Sequence, residues 1–228
     1  MRLYHFPTSP NCLKVRAVAH EIGVELELVT VNIFKGESRS ATFRALNPNG
    51  LVPVLVDGAF VLWESNAIVA YIASRYGSPA LISTDACRRA DIDRWLHWES
   101  AHMGPAIAKV AFERCVKTMF GGTQANEVAV SAALSAFEEH CRVLETSLRD
   151  KEFLTGSLSV ADFALASSLC SGAMVGLSVG AFPRTTAWLQ RMLARDSVRR
   201  TLAEAQLSVS EIYSTGTSGA VAAKRIFS

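Results

Sequence analysis

Thr8-Ser9-Pro10-Asn11-Cys12 stands between a strand-like run and a helix-like run. Amides at a helix N-terminus attract anions, thiolates among them. A serine hydroxyl placed there could donate a hydrogen bond to a bound sulfur. Ser9 and Cys12 also have the spacing of a C-x-x-C redox pair whose first cysteine has become serine. The attacking thiolate of such a pair normally sits at the exposed first position, and here that position holds a hydroxyl. Thr8 and Ser9 equally suit plain helix caps, and on spacing alone capping is the simpler reading.

Two further segments could bind a ligand. In Asn49-Gly50-Leu51-Val52-Pro53 a proline opens a strand, which is allowed at an edge or with a cis bond. A cis bond at Pro53 would turn the Val52 main chain outward, where a peptide-like ligand could pair with it as an added strand does. An ordinary turn into an edge strand fits the same residues. Trp63-Glu64-Ser65-Asn66 opens a later helix. A carboxylate, a hydroxyl and free helix amides together suit the α-carboxylate and α-ammonium of an amino acid, but the segment also satisfies a plain N-cap. Gly156 to Asp162 differs from both: Ser159 with Asp162 three residues later is a capping-box variant, a structural device with no chemistry assigned to it.

These segments need a scaffold. Residues 2–6 read as a strand, 11–22 as a helix ended by Gly23, and 26–31 as a second strand. Residues 39–46 form a short helix stopped by Asn47-Pro48-Asn49-Gly50. Residues 52–56 and 60–63 flank Asp57-Gly58, a strong hairpin signal, and 64–75 is a helix. The order βαβ, α, ββα implies an α/β domain with a mixed sheet. Beyond Pro79 the strand signal fades, and helices are expected at 87–119, 126–148, 159–171, 184–195 and 197–206, the first of them kinked at Pro105. The loop 120–123 separates the first two. The Gly/Ser/Thr/Ala-rich end reads as a tail.

Composition narrows the function classes. The chain has 228 residues, 50% of them apolar and 19% charged, enough to build a sizeable core. A net charge of +2 argues against electrostatic binding to nucleic acid or an anionic membrane. No apolar run has the length of a membrane span, and the strand-like residues 2–6 do not resemble a secretory leader. Five cysteines without paired spacing argue against a disulfide framework, and no close Cys/His cluster suggests zinc. A reduced, cytoplasmic protein without a metal is expected.

In combination, the βαβαββα order, Asn47-Pro48-Asn49-Gly50-Leu51-Val52-Pro53, Glu64-Ser65 before a helix, and Gly156 to Asp162 in a helical second half resemble the cytosolic glutathione transferase family over about residues 1–207. The resemblance implies an α/β plus all-α fold. A thioredoxin-like, glutathione-binding domain (1–79) is followed by an all-helical domain (85–207) and a C-terminal tail (208–228). It implies a detoxifying transferase, usually a homodimer, with glutathione as co-substrate. Ser9 falls where bacterial theta- and phi-like members place the serine that activates the glutathione sulfur. Asn11 and Thr8 are its helpers or substitutes; Tyr4, on the strand, does not replace it. Val52, before Pro53, looks like the residue whose main chain holds the cysteinyl part. Glu64 and Ser65 look like the γ-glutamyl site, and Arg39, with Ser38, sits near the expected glycyl carboxylate. Leu51 departs from the pattern, since many relatives carry Gln or Lys there. The pocket for a small hydrophobic electrophile is expected between the domains, with Phe6, Pro7, His102 and Met103 on its wall.

The implied chemistry is a matter of charge. A free thiol has a pKa near 8.5, so lowering it by about two units requires about 2.7 kcal/mol of thiolate stabilisation. One hydrogen bond to an anion, about 1.5–3 kcal/mol, plus helix-end amides, about 0.3–1 kcal/mol, could supply it. The thiolate would then attack an electrophilic carbon or displace a halide. Two other readings remain: a glutathione-dependent thiol–disulfide reductase or peroxidase using Cys12, and a non-catalytic binding protein on the same fold.

Overall fold

The computed structural model describes residues 1–77, 79–117 and 124–214, with side chains in the last helix through residue 206. The loop 120–123 and the end of the tail lie outside the described residues. The chain divides into two compact units, residues 1–82 together with the chain from Ala194, and Ser83–Leu193.

The first unit is built on β1 (Arg2–His5), α1 (Pro10–Glu21), β2 (Glu27–Thr30), α2 (Ala41–Leu46), β3 (Val54–Asp57), β4 (Phe60–Trp63) and α3 (Ser65–Arg75), joined by the helix α9 (Asp196–Ser214). The sheet order is β2-β1-β3-β4; β1 and β2 run parallel, and β3 is antiparallel to both neighbours. This is the mixed sheet the sequence implied. Leu3 and His5 point to one face and Tyr4 to the other, as period-two alternation requires. Tyr4 meets Phe43 of α2 edge-on at 6.2 Å, in a cluster with Val31 and Val54. Arg39 to Leu46 is not one helix: Ser40 caps α2 by accepting from the Phe43 N–H at 3.2 Å, and Glu37–Arg39 is a separate 3-10 turn. β3 starts at Val54, two residues later than the alternation suggested, after a cis Val52–Pro53 bond.

α1 packs against both α3 and α9, so its residues from Cys12 to Ala19 are all buried, including Lys14 and Arg16. Polar groups in such a place need partners. Arg16 Nη2 donates to Glu204 Oε2 at 2.6 Å, His20 bonds Thr201 at 2.9 Å, and Glu21 accepts from Arg195 Nε at 3.2 Å and from Ser197 Oγ at 2.5 Å. These bonds hold α9 against the first unit, whereas the sequence assigned residues up to 207 to the helical half. The helix also runs to Ser214, into the expected tail.

His5, 3% exposed, carries a testable consequence. Burial, with the nearby Arg16 charge, lowers its pKa from 6.5 to about 4. A folded-state pKa below the unfolded value means that the unfolded chain binds the proton more readily as pH falls through 6.5 towards 4. Stability is therefore full above pH 6.5 and declines below it. The fold is expected to lose about 2 kcal/mol from this group between pH 7 and pH 5. Urea midpoints at the two pH values check this, and His5→Leu should flatten the difference.

The second unit contains α4 (Ala86–Trp98), α5 (Gly104–Ala111), α6 (Glu127–Ser147), α7 (Val160–Met174) and α8 (Pro183–Leu193). The expected break at Pro105 takes another form. The helix widens into a π-turn over Glu99–Met103, with the Gly104 N–H bonding Glu99 O, before Pro105 enters the first turn of α5. A proline lacks the N–H and crowds the preceding turn; the wider turn accommodates both effects. A second π-turn, Phe112–Val116, follows α5. There Glu113 receives Lys117 and the Asn126 N–H at 2.9 Å each, which holds its carboxyl pKa down at about 2. Buried α7 lies at the centre of the unit. Its capping carboxylate, Asp162, accepts from Ser159 N and Oγ, Leu154 N and Trp188 Nε1 at 2.9–3.0 Å. Among the described residues, no helix is long and apolar enough to cross a membrane, and no group of three or more His, Cys, Asp or Glu could hold a metal.

Candidate active site

An open cleft of about 600 Å³ lies in the first unit, and Ser9, Asn11, Arg39 and Val52 all line it. Residues 43 positions apart in sequence are thus brought together by the β1–α1 turn, the β2–α2 connection and the approach to β3.

Ser9 is the N-cap of α1. Its N–H donates to Phe6 O at 3.1 Å, and its carbonyl accepts from the Cys12 and Leu13 amides at 2.9 Å each. Pro10 follows at the first helical position, where its missing N–H costs nothing. Ser9 makes no side-chain cap hydrogen bond, so the simpler sequence reading, a serine spent on capping, is not what the geometry shows. Thr8 is half-buried in the turn just before it. Asn11 faces the cleft from the first turn of α1, and its Oδ1 accepts from Ser65 Oγ at 3.2 Å.

The neighbouring Cys12 is fully buried, and its thiol accepts the Phe6 N–H at 3.4 Å. Burial raises its pKa to about 11, against the opposing pull of that amide, Ser9 and the Arg16 and Lys14 charges. Its thiolate is scarcely populated at neutral pH.

The far wall depends on a turn. Asn47, 3% exposed, donates Nδ2 to Leu51 O at 2.7 Å and accepts from the Asn49 N–H at 3.0 Å. Gly50 has φ +65°, and a Cβ there would sit 2.9 Å from Ser38 O. Both the backbone conformation and the contact exclude a side chain. The turn thereby sets Leu51, 64% exposed, and Val52 against the cleft. Arg39 and Arg44 contribute two guanidiniums, and no acid belongs to the lining, so the cleft favours an anion.

Glu64 and Ser65 do not line this cleft. Ser65, 8% exposed, reaches it through Asn11. Glu64 is exposed and has φ +71°, a rare conformation for a residue with a side chain. Pro53 is buried. Phe6 and Pro7 are also buried, and Phe6 packs edge-on against Phe34 at 5.2 Å. In the second unit Met103 is fully buried, whereas His102 is exposed beside Trp98 and His140. Arg44 is a cleft residue that sequence reasoning missed. Its signal is weak, because an exposed arginine on a six-residue helix resembles any solvated charge.

Residues 3–80 match the glutathione S-transferase N-terminal domain model, and residues 104–196 match the C-terminal domain model. The chain belongs to the glutathione S-transferase family. It is 34% identical over 203 residues to a probable glutathione S-transferase of Oryza sativa subsp. japonica, covering 88% of this chain and 94% of that one. Over 191 residues it is 31% identical to glutathione S-transferase D7 of Drosophila melanogaster, with 82% of each chain covered. Among solved structures, the theta class enzyme of Xanthomonas axonopodis pv. citri, with glutathione bound, is 29% identical with a TM-score of 0.80; the match covers 88% of this chain and 95% of that one. This transferase therefore has the family's fold, a thioredoxin-like half followed by a helical half, and its activity is that of a glutathione transferase.

Proposed function

We propose that this is a serine-type, theta- or phi-like transferase in which the Ser9 hydroxyl stabilises the glutathione thiolate for attack on a small hydrophobic electrophile. The observation that carries the reading is that Ser9 caps α1 with its main chain alone and lines the cleft with Asn11 and Val52. Asn11 is the second polar group at the sulfur, and Thr8 flanks both. The Val52 main chain, ahead of Pro53, pairs with the cysteinyl part. Glu64 and Ser65 take the γ-glutamyl head beside the first amides of α3. Arg39 and Ser38, with Arg44, face the glycyl carboxylate. The thiolate forms a new carbon–sulfur bond as the leaving group departs, and the thiol proton passes to solvent. A theta relative of Mus musculus, 30% identical over 198 residues, supports the subclass. The reading carries with it a homodimer and a cytoplasmic location, and assigns residues 1–79 to glutathione binding.

The same geometry disfavours the reductase alternative, since Cys12 is fully buried and its thiol is protonated at neutral pH. Titration with glutathione, read at the ultraviolet thiolate band between pH 5 and 9, is the test. A saturable band with a midpoint about two pH units below that of free glutathione is expected. Cys12→Ser should keep that band and turnover. Binding without a thiolate, or loss of turnover in Cys12→Ser, would move the chemistry to Cys12.

A further inference from the structure

Lys14 is 0% exposed. A lysine is almost never fully buried unless it is paired. Its Nζ donates to Asn66 Oδ1 at 3.1 Å, across 52 positions of sequence. Asn66 is the second residue of α3. Immediately before it, Ser65 donates to Asn11 Oδ1 at 3.2 Å, and one residue earlier Glu64 carries φ +71°. The first turn of α3 is therefore tied to α1 at two consecutive residues. One tie is between neutral groups and lies beside the cleft. The other comes from an ammonium inside the protein, whose hydrogen bonds exceed neutral ones in strength. Lys14 lines no part of the cleft, so its reach to a ligand is indirect.

We propose that Lys14 is a positioning residue for glutathione: its buried ammonium holds Asn66, and through it fixes the turn bearing Glu64 and Ser65 against Asn11. This rests on the proposed placement of the γ-glutamyl head at Glu64 and Ser65. Ser9, at the sulfur-binding end, is not held by this bond; Asn11, which accepts from Ser65, links the two ends. Loss of the bond thus bears first on glutathione affinity and less on thiolate formation than loss of Ser9 does. A buried cation that only stabilised the fold would have no such selectivity.

The test is a double-mutant cycle on the full chain, with Lys14→Met, Asn66→Ala and the pair, read as KM for glutathione, kcat, the pH midpoint of the thiolate band and the melting midpoint. Each single variant is expected to raise KM about tenfold, with the thiolate midpoint moved less than Ser9→Ala moves it. The pair should fall short of the product of the two single effects, because the Lys14–Asn66 bond is lost in all three. Melting changes with KM unmoved, or KM effects that multiply, would overturn the proposal. Should Lys14→Met fold poorly, Asn66→Ala alone decides, since half-buried Asn66 leaves no cavity in the core. Ser65→Ala separates the role of Lys14 from the placement of the γ-glutamyl head. Raised KM in Ser65→Ala with unchanged KM in the others sinks only the role of Lys14. Unchanged KM in Ser65→Ala sinks the γ-glutamyl placement, and the role of Lys14 with it.

Discussion

Ser9→Ala is expected to raise the pKa of bound glutathione by about 1–2 units and to lower turnover at pH 6.5 by about 10- to 100-fold. The Ser9 hydroxyl takes no part in the helix cap. A serine that caps a helix with its hydroxyl accepts an N–H from the first turn, and its loss costs about 1 kcal/mol of stability. Ser9 contributes its carbonyl to the Cys12 and Leu13 amides and makes no side-chain cap bond. Alanine keeps that carbonyl, so α1 and the melting midpoint should change little. What is removed is a donor at the anion-attracting end of α1. Turnover should recover as pH rises above the new pKa, because hydroxide then supplies the thiolate that Ser9 no longer stabilises. The pH profile of kcat, taken with the thiolate band, reads both effects. An unchanged band with a melting midpoint lowered by several degrees would make Ser9 a cap and nothing more.

The largest effect on stability is expected at Asp162. The residue is 0% exposed and accepts four hydrogen bonds, from Leu154 N, Ser159 N and Oγ, and Trp188 Nε1. Those donors come from the loop before α7, from its N-cap and from α8, so one carboxylate joins three segments of the helical unit. Asp162→Ala leaves buried donors without partners, at about 1–3 kcal/mol each before relaxation. A total loss of about 3–5 kcal/mol is expected, enough to lower the melting midpoint by about 10 °C. Ser159→Ala is the control. It removes one hydroxyl but leaves the Ser159 amide, Leu154 and Trp188 bonded, and should cost about 1 kcal/mol. Urea denaturation of the two variants gives the ratio. Equal losses would mean that Asp162 acts only as the local cap that its spacing from Ser159 suggests.

That contrast shows where sequence reasoning runs out. Ser159 and Asp162 are three residues apart, and the cap follows from that spacing alone. Trp188 lies 26 residues further on, and nothing near Asp162 in sequence points to it. Arg44 was missed for the same reason: it enters the cleft only because the Asn47–Gly50 turn folds back on Ser38. Nothing near Lys14 and Arg16 in sequence marks them as interior. They are interior because α3 and α9 both pack on α1.

The order of strands and helices, the turns at Asn47-Pro48-Asn49-Gly50 and Asp57-Gly58, and the cap of α7 were determined by the sequence itself. Each depends on backbone preferences and hydrogen bonds among residues a few positions apart, where chain connectivity already sets the geometry. Tertiary structure decided the rest: that Ser9's hydroxyl is left out of the cap, that Cys12 is sealed in the core, that Asn11 meets Ser65, and that the last helix packs on the first. The meeting of Asn11 with Ser65 and of the last helix with the first depends on distances between segments 50 to 190 positions apart. Local propensity carries no information about such distances, and only burial of the shared core fixes them.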